Sequence, residues 1–214
     1  MPETRPLYVF GYGSLMWRPD FPYQDRWTGD ALGVRRRLCV WSAAYRGSPE
    51  RPGLVFGLDP VGDDPAVQDA TTRGVVYEVA PRDRRATIAY LFQRELIYPI
   101  YWPAYVDTVS QAGRRRALTF VVDRADPGYA GGLAAAARIA AIASGRGRAG
   151  WARDYLANAL DRLEAMGAPE PRLRAELQAA DALGNDPERL FALLDEGVRR
   201  RLDAMFELAE ELGA

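Results

Sequence analysis

The stretch Leu7-Tyr8-Val9-Phe10-Gly11-Tyr12-Gly13-Ser14-Leu15-Met16-Trp17 decides how the rest of the chain is read. Four apolar and aromatic residues make a short strand, and two glycines then bracket Tyr12 ahead of a serine. Glycine lets the backbone turn tightly and lets N–H groups approach a ligand with no Cβ in the way. Successive N–H groups in such a turn form a concave site suited to a carboxylate or a developing oxyanion. The segment lacks the third glycine of a GxGxxG fingerprint and opens no βα unit, so it is not the start of a dinucleotide-binding fold. The same residues also suit a plain hairpin turn with no ligand.

Working outward, short apolar runs recur at 38–41, 54–56, 74–79, 105–109 and 117–122, each bounded by Gly, Pro, Asp or Arg. Strands spaced in this way, without regular intervening helices, predict a mostly antiparallel or mixed sheet closing into a small barrel. One helix interrupts the series at about 82–98, with Ile88, Leu91, Phe92 and Glu95 at helical spacing. From Tyr129 the period changes to 3.6, predicting helices at 133–144, 151–166, 172–183 and 186–212. The last opens on Asp186-Pro187-Glu188, an N-cap followed by proline at the first helical position. Its apolar stripe is Leu190, Leu194, Val198, Leu202 and Phe206, expected to pack within the subunit, with a dimer contact as the alternative. No Ser/Gly-rich linker separates the halves. The expectation is one α+β domain over 1–214, mainly β-barrel in 1–125 and helical in 126–214.

Composition narrows the chemistry. The 214 residues are 48% hydrophobic and 27% charged with a net charge of −1, an ordinary globular balance that gives no reason to expect a nucleic-acid partner. There is no His, and all 28 basic residues are Arg. A Ser-His-Asp triad, a Cys-His pair and an HExxH zinc helix are therefore excluded, as are a Schiff-base lysine and a P-loop lysine. Cys39 stands alone, so it forms no internal disulfide and no thiolate cluster, and it reads as core packing. No run approaches the ~20 apolar residues a membrane-spanning helix needs, and no leader is visible, so the expected compartment is the cytoplasm. Proton transfer must use carboxylates, tyrosines or the substrate's own groups.

Glu95 is the candidate for that work. It sits in Tyr90-Leu91-Phe92-Gln93-Arg94-Glu95-Leu96-Ile97-Tyr98, among largely apolar neighbours. If its side chain faces the core, desolvation raises its pKa and makes it a usable base near neutral pH. The alternative is a solvated glutamate at a helix end beside Arg94. Tyr98, Tyr101, Trp102 and Tyr105 read as aromatics that fill a core or cover a sheet. The triplets at 35–37, 114–116 and 199–201 read as solvated arginine edges.

Taken together these residues resemble the ChaC-type gamma-glutamylcyclotransferases, which act on glutathione. Residues Val9 to Trp17 look like the family's signature strand and turn. Tyr45-Arg46-Gly47 with Pro52-Gly53, then Arg94-Glu95 with Tyr101 and Pro103, then Ala143-Ser144-Gly145 with Asp154-Tyr155-Leu156 follow in the family's order. The resemblance implies a gamma-glutamylcyclotransferase-like fold and a small-molecule substrate, glutathione or another γ-glutamyl compound. It implies no metal, no cofactor and no attacking water. The substrate's own α-amine would attack its γ-carbonyl, closing a lactam (5-oxoproline) and expelling Cys-Gly, with Glu95 as base and then acid. Val9, Phe10, Gly11, Tyr12, Gly13 and Ser14 would hold the γ-glutamyl group, and Tyr101 and Tyr155 would line the pocket. Many relatives carry Gly-Gly-Tyr soon after the glutamate. Here Ile97-Tyr98-Pro99-Ile100-Tyr101 is bulkier, which keeps γ-glutamyl amino acids and γ-glutamylamines open as substrates. A non-catalytic γ-glutamyl-binding module is the reading from outside the enzymes.

Overall fold

A computed structural model describes residues 5–62 and 70–184. The expected helix at 186–212 and the arginines at 199–201 lie outside the described residues. The chain forms two compact units. One comprises the residues up to Arg37 together with Leu58–Asp123, and the other comprises Leu38–Gly57 together with the residues from Arg124 onward. Residues 38–57 thus leave the barrel-forming part of the chain and belong with the helices.

In chain order the strands are β1 (Leu7–Gly11), β2 (Asp25–Leu32), β3 (Val34–Ser42), β4 (Gly53–Pro60), β5 (Thr71–Val79), β6 (Tyr101–Ser110) and β7 (Gly113–Val122). The first unit is built on a closed barrel in the order β1-β5-β2-β6-β7. Its pairings are antiparallel except for the parallel closure of β1 on β7, where Val9 meets Leu118. The small barrel expected from the run spacing is therefore what forms. β3 and β4 make a separate two-stranded sheet. Leu7, Phe10, Tyr77 and Phe120 are almost wholly buried. Each such side chain contributes roughly 1.5–3 kcal/mol relative to an exposed one.

β2 was not anticipated, and the reason is physical. Asp25-Arg26-Trp27-Thr28-Gly29-Asp30-Ala31-Leu32 carries charges and no apolar run, so its strand state comes from its partner. It pairs with β5 from Asp25↔Glu78 to Leu32↔Thr71. Arg73 of β5 then clasps Asp30 with Nε on Oδ1 at 2.7 Å and Nη2 on Oδ2 at 2.9 Å.

Three other expectations need correction. The helix α1 spans Arg84–Glu95 and stops short of Tyr98. Leu91 and Thr87 on α1 are buried, but Phe92 stays 37% exposed, edge-on to Phe120. Of the two readings of the aromatics, filling a core or covering a sheet, Trp102 and Tyr105 rule out the first: they are 60% and 47% exposed on β6. That strand pairs with β7 along its length but with β2 only at Thr108–Ser110, so little packs over the rest of it. Within the 35–37 triplet, Arg36 turns inward, donating from Nη1 to the Arg73 carbonyl at 2.6 Å and the Tyr12 carbonyl at 3.4 Å.

The second unit holds α2 (Ala135–Ser144), α3 (Ala152–Ala165) and α4 (Pro171–Leu183), close to the bounds the 3.6 period predicts. A small hairpin, β8 (Arg146–Gly147) with β9 (Gly150–Trp151), joins α2 to α3. Arg138 of α2 pairs bidentately with buried Glu176 of α4. Cys39 is fully buried packing, as its strand context implies. No described helix is long and apolar enough to cross a membrane.

Candidate active site

The glycine segment ends β1 and doubles the chain back through a single 3-10 turn, Ser14–Met16. Gly11 is required by the close approach: a Cβ there would stand 2.8 Å from Leu15 Cβ. Gly74 on β5 makes room from the other side, since its Cβ would lie 2.5 Å from the Gly11 carbonyl oxygen and 2.6 Å from the Phe10 ring. The turn is then pinned by buried hydrogen bonds. The Tyr12 hydroxyl donates to the Phe120 carbonyl at 2.9 Å, and the Tyr77 hydroxyl donates to the Leu15 carbonyl at 2.7 Å. Within the turn, the Met16 N–H reaches the Gly13 carbonyl at 2.9 Å and the Arg18 N–H reaches the Ser14 carbonyl at 2.8 Å. The N–H groups of Ser14 and Leu15 open the turn, where no earlier carbonyl of the turn can accept them.

Glu95 is the last residue of α1, and its side chain is 19% exposed. Burial pushes its carboxyl above the ordinary glutamate value, and the Arg94 charge only partly offsets that. Arg94 Nε lies 3.2 Å from Glu95 Oε1. The same guanidinium donates from Nη2 to Ser14 Oγ at 2.9 Å. Its Nη1 is held by the Arg18 carbonyl and the Tyr90 hydroxyl, both at 2.7 Å, with Asp20 Oδ2 at 3.4 Å. The helix end and the glycine turn are thereby linked through one side chain. Asp20, the one non-glycine residue with positive φ (55°) among those described, ends the segment that anchors Nη1.

The other expected residues are placed as follows. Val9 and Phe10 are fully buried, with their backbones in the β1–β5 ladder. Tyr12 is 8% exposed and directs its hydroxyl to Phe120 rather than outward. Tyr101 opens β6 opposite Val122 and is half-buried. Tyr155 belongs to the second unit, 5% exposed, where its oxygen accepts the Phe56 N–H at 3.2 Å and Arg46 lies over its ring. The resemblance alone assigns Tyr155 to the substrate. Sequence reasoning named Arg94 only as the residue beside Glu95 and gave it no role of its own. The available signal was its position: Arg94 is four residues after Tyr90 on the same helix, the spacing that puts two side chains together. Among the described residues, no three His, Cys, Asp or Glu are grouped to hold a metal ion.

Set against known proteins, the chain is 33% identical over 187 residues to the human glutathione-specific gamma-glutamylcyclotransferase 1, covering 85% of this chain and 80% of that one. It is 29% identical over 173 residues to the Escherichia coli glutathione-specific gamma-glutamylcyclotransferase, covering 80% of this chain and 71% of that one. In fold it is similar to the crystal structure of a gamma-glutamyl cyclotransferase specific to glutathione from yeast, with a TM-score of 0.72 at 23% identity over 84% of this chain and 97% of that one. The family model for ChaC-like proteins matches residues 7–179, from the first barrel strand into α4. A carboxylate shielded at a helix end and tied to a glycine turn sits inside that match, and the chain belongs to the ChaC-like family.

Proposed function

We propose that this chain is a gamma-glutamylcyclotransferase acting on glutathione. The α-amine of the γ-glutamyl group attacks its own γ-carbonyl carbon, forming a five-membered lactam. The amide C–N bond to cysteine breaks, and 5-oxoproline and Cys-Gly leave. The nucleophile is already tethered, so holding it in position supplies much of the rate; such arrangements reach effective molarities of about 10⁵–10⁸ M.

Glu95 takes the proton that the α-amine must lose and returns a proton to the leaving nitrogen. Its partial burial suits that role, because a carboxyl with a raised pKa both accepts and releases a proton closer to neutrality. The turn at Gly11–Ser14 receives the γ-glutamyl group through backbone N–H donors and the Ser14 hydroxyl. The observation carrying this reading is the bridge that Arg94 makes between Glu95 and Ser14, which brings a base and a donor to one place. The glutathione-specific names of the human and Escherichia coli relatives supply the substrate.

The test is direct. Purified protein is incubated with glutathione, with γ-glutamyl amino acids and with γ-glutamylamines, and the products are followed by mass spectrometry. Release of 5-oxoproline and Cys-Gly from glutathione, above release from the other substrates, is expected. No 5-oxoproline from any of them would overturn the assignment.

A further inference from the structure

One edge of an arginine guanidinium, made of Nε and Nη2, matches the two oxygens of a carboxylate. Two arginines of this chain use it so: Arg73 on Asp30 and Arg138 on Glu176. Arg94 does not. Its Nε lies 3.2 Å from Glu95 Oε1 while its Nη2 donates to Ser14 Oγ at 2.9 Å. One edge is thus divided between a carboxylate oxygen and a hydroxyl, which places Oε1 and Oγ side by side.

The division fixes the polarity of both partners. Arginine has only donors, so Ser14 Oγ accepts from it and keeps its own proton for another acceptor. Glu95 Oε1 faces the guanidinium, which leaves Oε2 as the oxygen to be offered to a ligand. We infer that Arg94 is the positioning residue of this site, presenting Ser14 as a donor to a substrate oxygen and Glu95 Oε2 as the acceptor of the amine proton. A γ-glutamyl group offers that pair, an amine and the oxygen of the carbonyl whose carbon the amine attacks as the ring closes. The inference rests on the cyclotransferase reading and adds which atom does what. Arg94 is itself fixed by the Arg18 carbonyl, the Tyr90 hydroxyl and Asp20, so the edge is held in place before a ligand arrives.

The charged group set against Glu95 is Arg94, with Asp20 across from the turn segment and the Tyr90 phenol completing the surroundings of the guanidinium. Removing the Arg94 charge withdraws the attraction that favours the carboxylate. Glu95 then holds its proton to higher pH. For Arg94→Gln the acid limb of the kcat/KM–pH profile is expected to move up by about one pH unit or more. The Glu95 carboxyl, followed by carbon-13 NMR titration, should move with it.

Ser14→Ala should lower kcat about a hundredfold to a thousandfold in the parent. It should cost much less in the Arg94→Gln background, because the hydroxyl is no longer oriented. If Arg94→Gln does not fold, Arg94→Lys keeps the charge and loses the fork. That variant should leave the acid limb in place while kcat falls and the Ser14→Ala effect shrinks. The inference is overturned if a folded Arg94→Gln leaves both the limb and the Glu95 titration unmoved, or if Ser14→Ala costs the same in both backgrounds. A parent protein that releases no 5-oxoproline would instead overturn the cyclotransferase reading, and the NMR titration would still decide the coupling of Arg94 to Glu95.

Discussion

Arg94 Nη2 donates to Ser14 Oγ across 2.9 Å, joining residues eighty positions apart in the chain. That contact connects the C-terminal end of α1 to the turn that closes β1. Glu95 is the next residue, so anything that fixes Arg94 fixes the carboxylate as well. Ser14 is likewise held from behind, because the turn it opens is pinned by Tyr12 and Tyr77.

Glu95→Gln keeps an oxygen for Arg94 but cannot accept a proton. Release of 5-oxoproline should fall by at least about 10²-fold, the lower end for general acid–base catalysis. Glutathione binding, measured by calorimetry, should stay within a few-fold of the parent. Near-parental turnover would remove Glu95 from the reaction.

The same variant should be more stable than the parent at neutral pH. Burial raises the folded-state pKa of Glu95 above its unfolded value, so the native state binds that proton more tightly. The resulting stability is fully present below the unfolded value of about 4.3 and is lost as pH rises through the folded pKa. Glutamine carries no such loss. The Tm advantage of Glu95→Gln should therefore be largest above the folded pKa and shrink on acidification. An advantage that does not vary with pH would contradict the burial of this carboxyl.

Gly74→Ala tests the packing that shapes the turn from outside it. The added Cβ meets the Gly11 carbonyl oxygen and the Phe10 ring, a backbone atom of the β1–β5 ladder and a fully buried side chain. A destabilisation of about 1–3 kcal/mol is expected from the overpacking. Activity should fall as well, because the displaced atom belongs to the turn. Urea denaturation together with the 5-oxoproline assay measures both. Unchanged stability would mean that β1 and β5 tolerate a wider separation.

In the helical unit, Arg138→Met removes the bidentate partner of Glu176, whose side chain is 7% exposed, and leaves it the exposed Arg172, whose Nε lies 3.7 Å from Oε1. Breaking a buried pair in this way costs about 3–5 kcal/mol. Replacing both residues by apolar ones of similar size should recover most of the loss. A single variant that unfolds at the parental urea midpoint would show that Arg172 alone suffices to hold Glu176.

The elements whose signal is carried by their own residues were legible without coordinates. The apolar runs at 74–79 and 117–122 became β5 and β7, and the 3.6 period gave α2, α3 and α4 nearly to their ends. The glycine turn and Glu95 could both be picked out as candidates, because a tight turn requires particular residues and a carboxylate among apolar neighbours is conspicuous. β2 could not be seen, since its strand state is supplied by β5 and not by Asp25-Arg26-Trp27-Thr28. Nor could the exposure of Trp102 and Tyr105, which depends on how far β2 runs beside β6.

Residue types and local spacing determined which chemistries this chain lacks the side chains for: with no His and no Lys, triads, HExxH zinc helices and Schiff bases are excluded, and one carboxylate set in an apolar stretch stands out as the candidate. What only the tertiary structure decided is what surrounds that carboxylate. Arg94 reaches Ser14 because the barrel brings the end of α1 to the end of β1, and a hydrogen bond between residues so distant in the chain leaves no periodic trace in either segment.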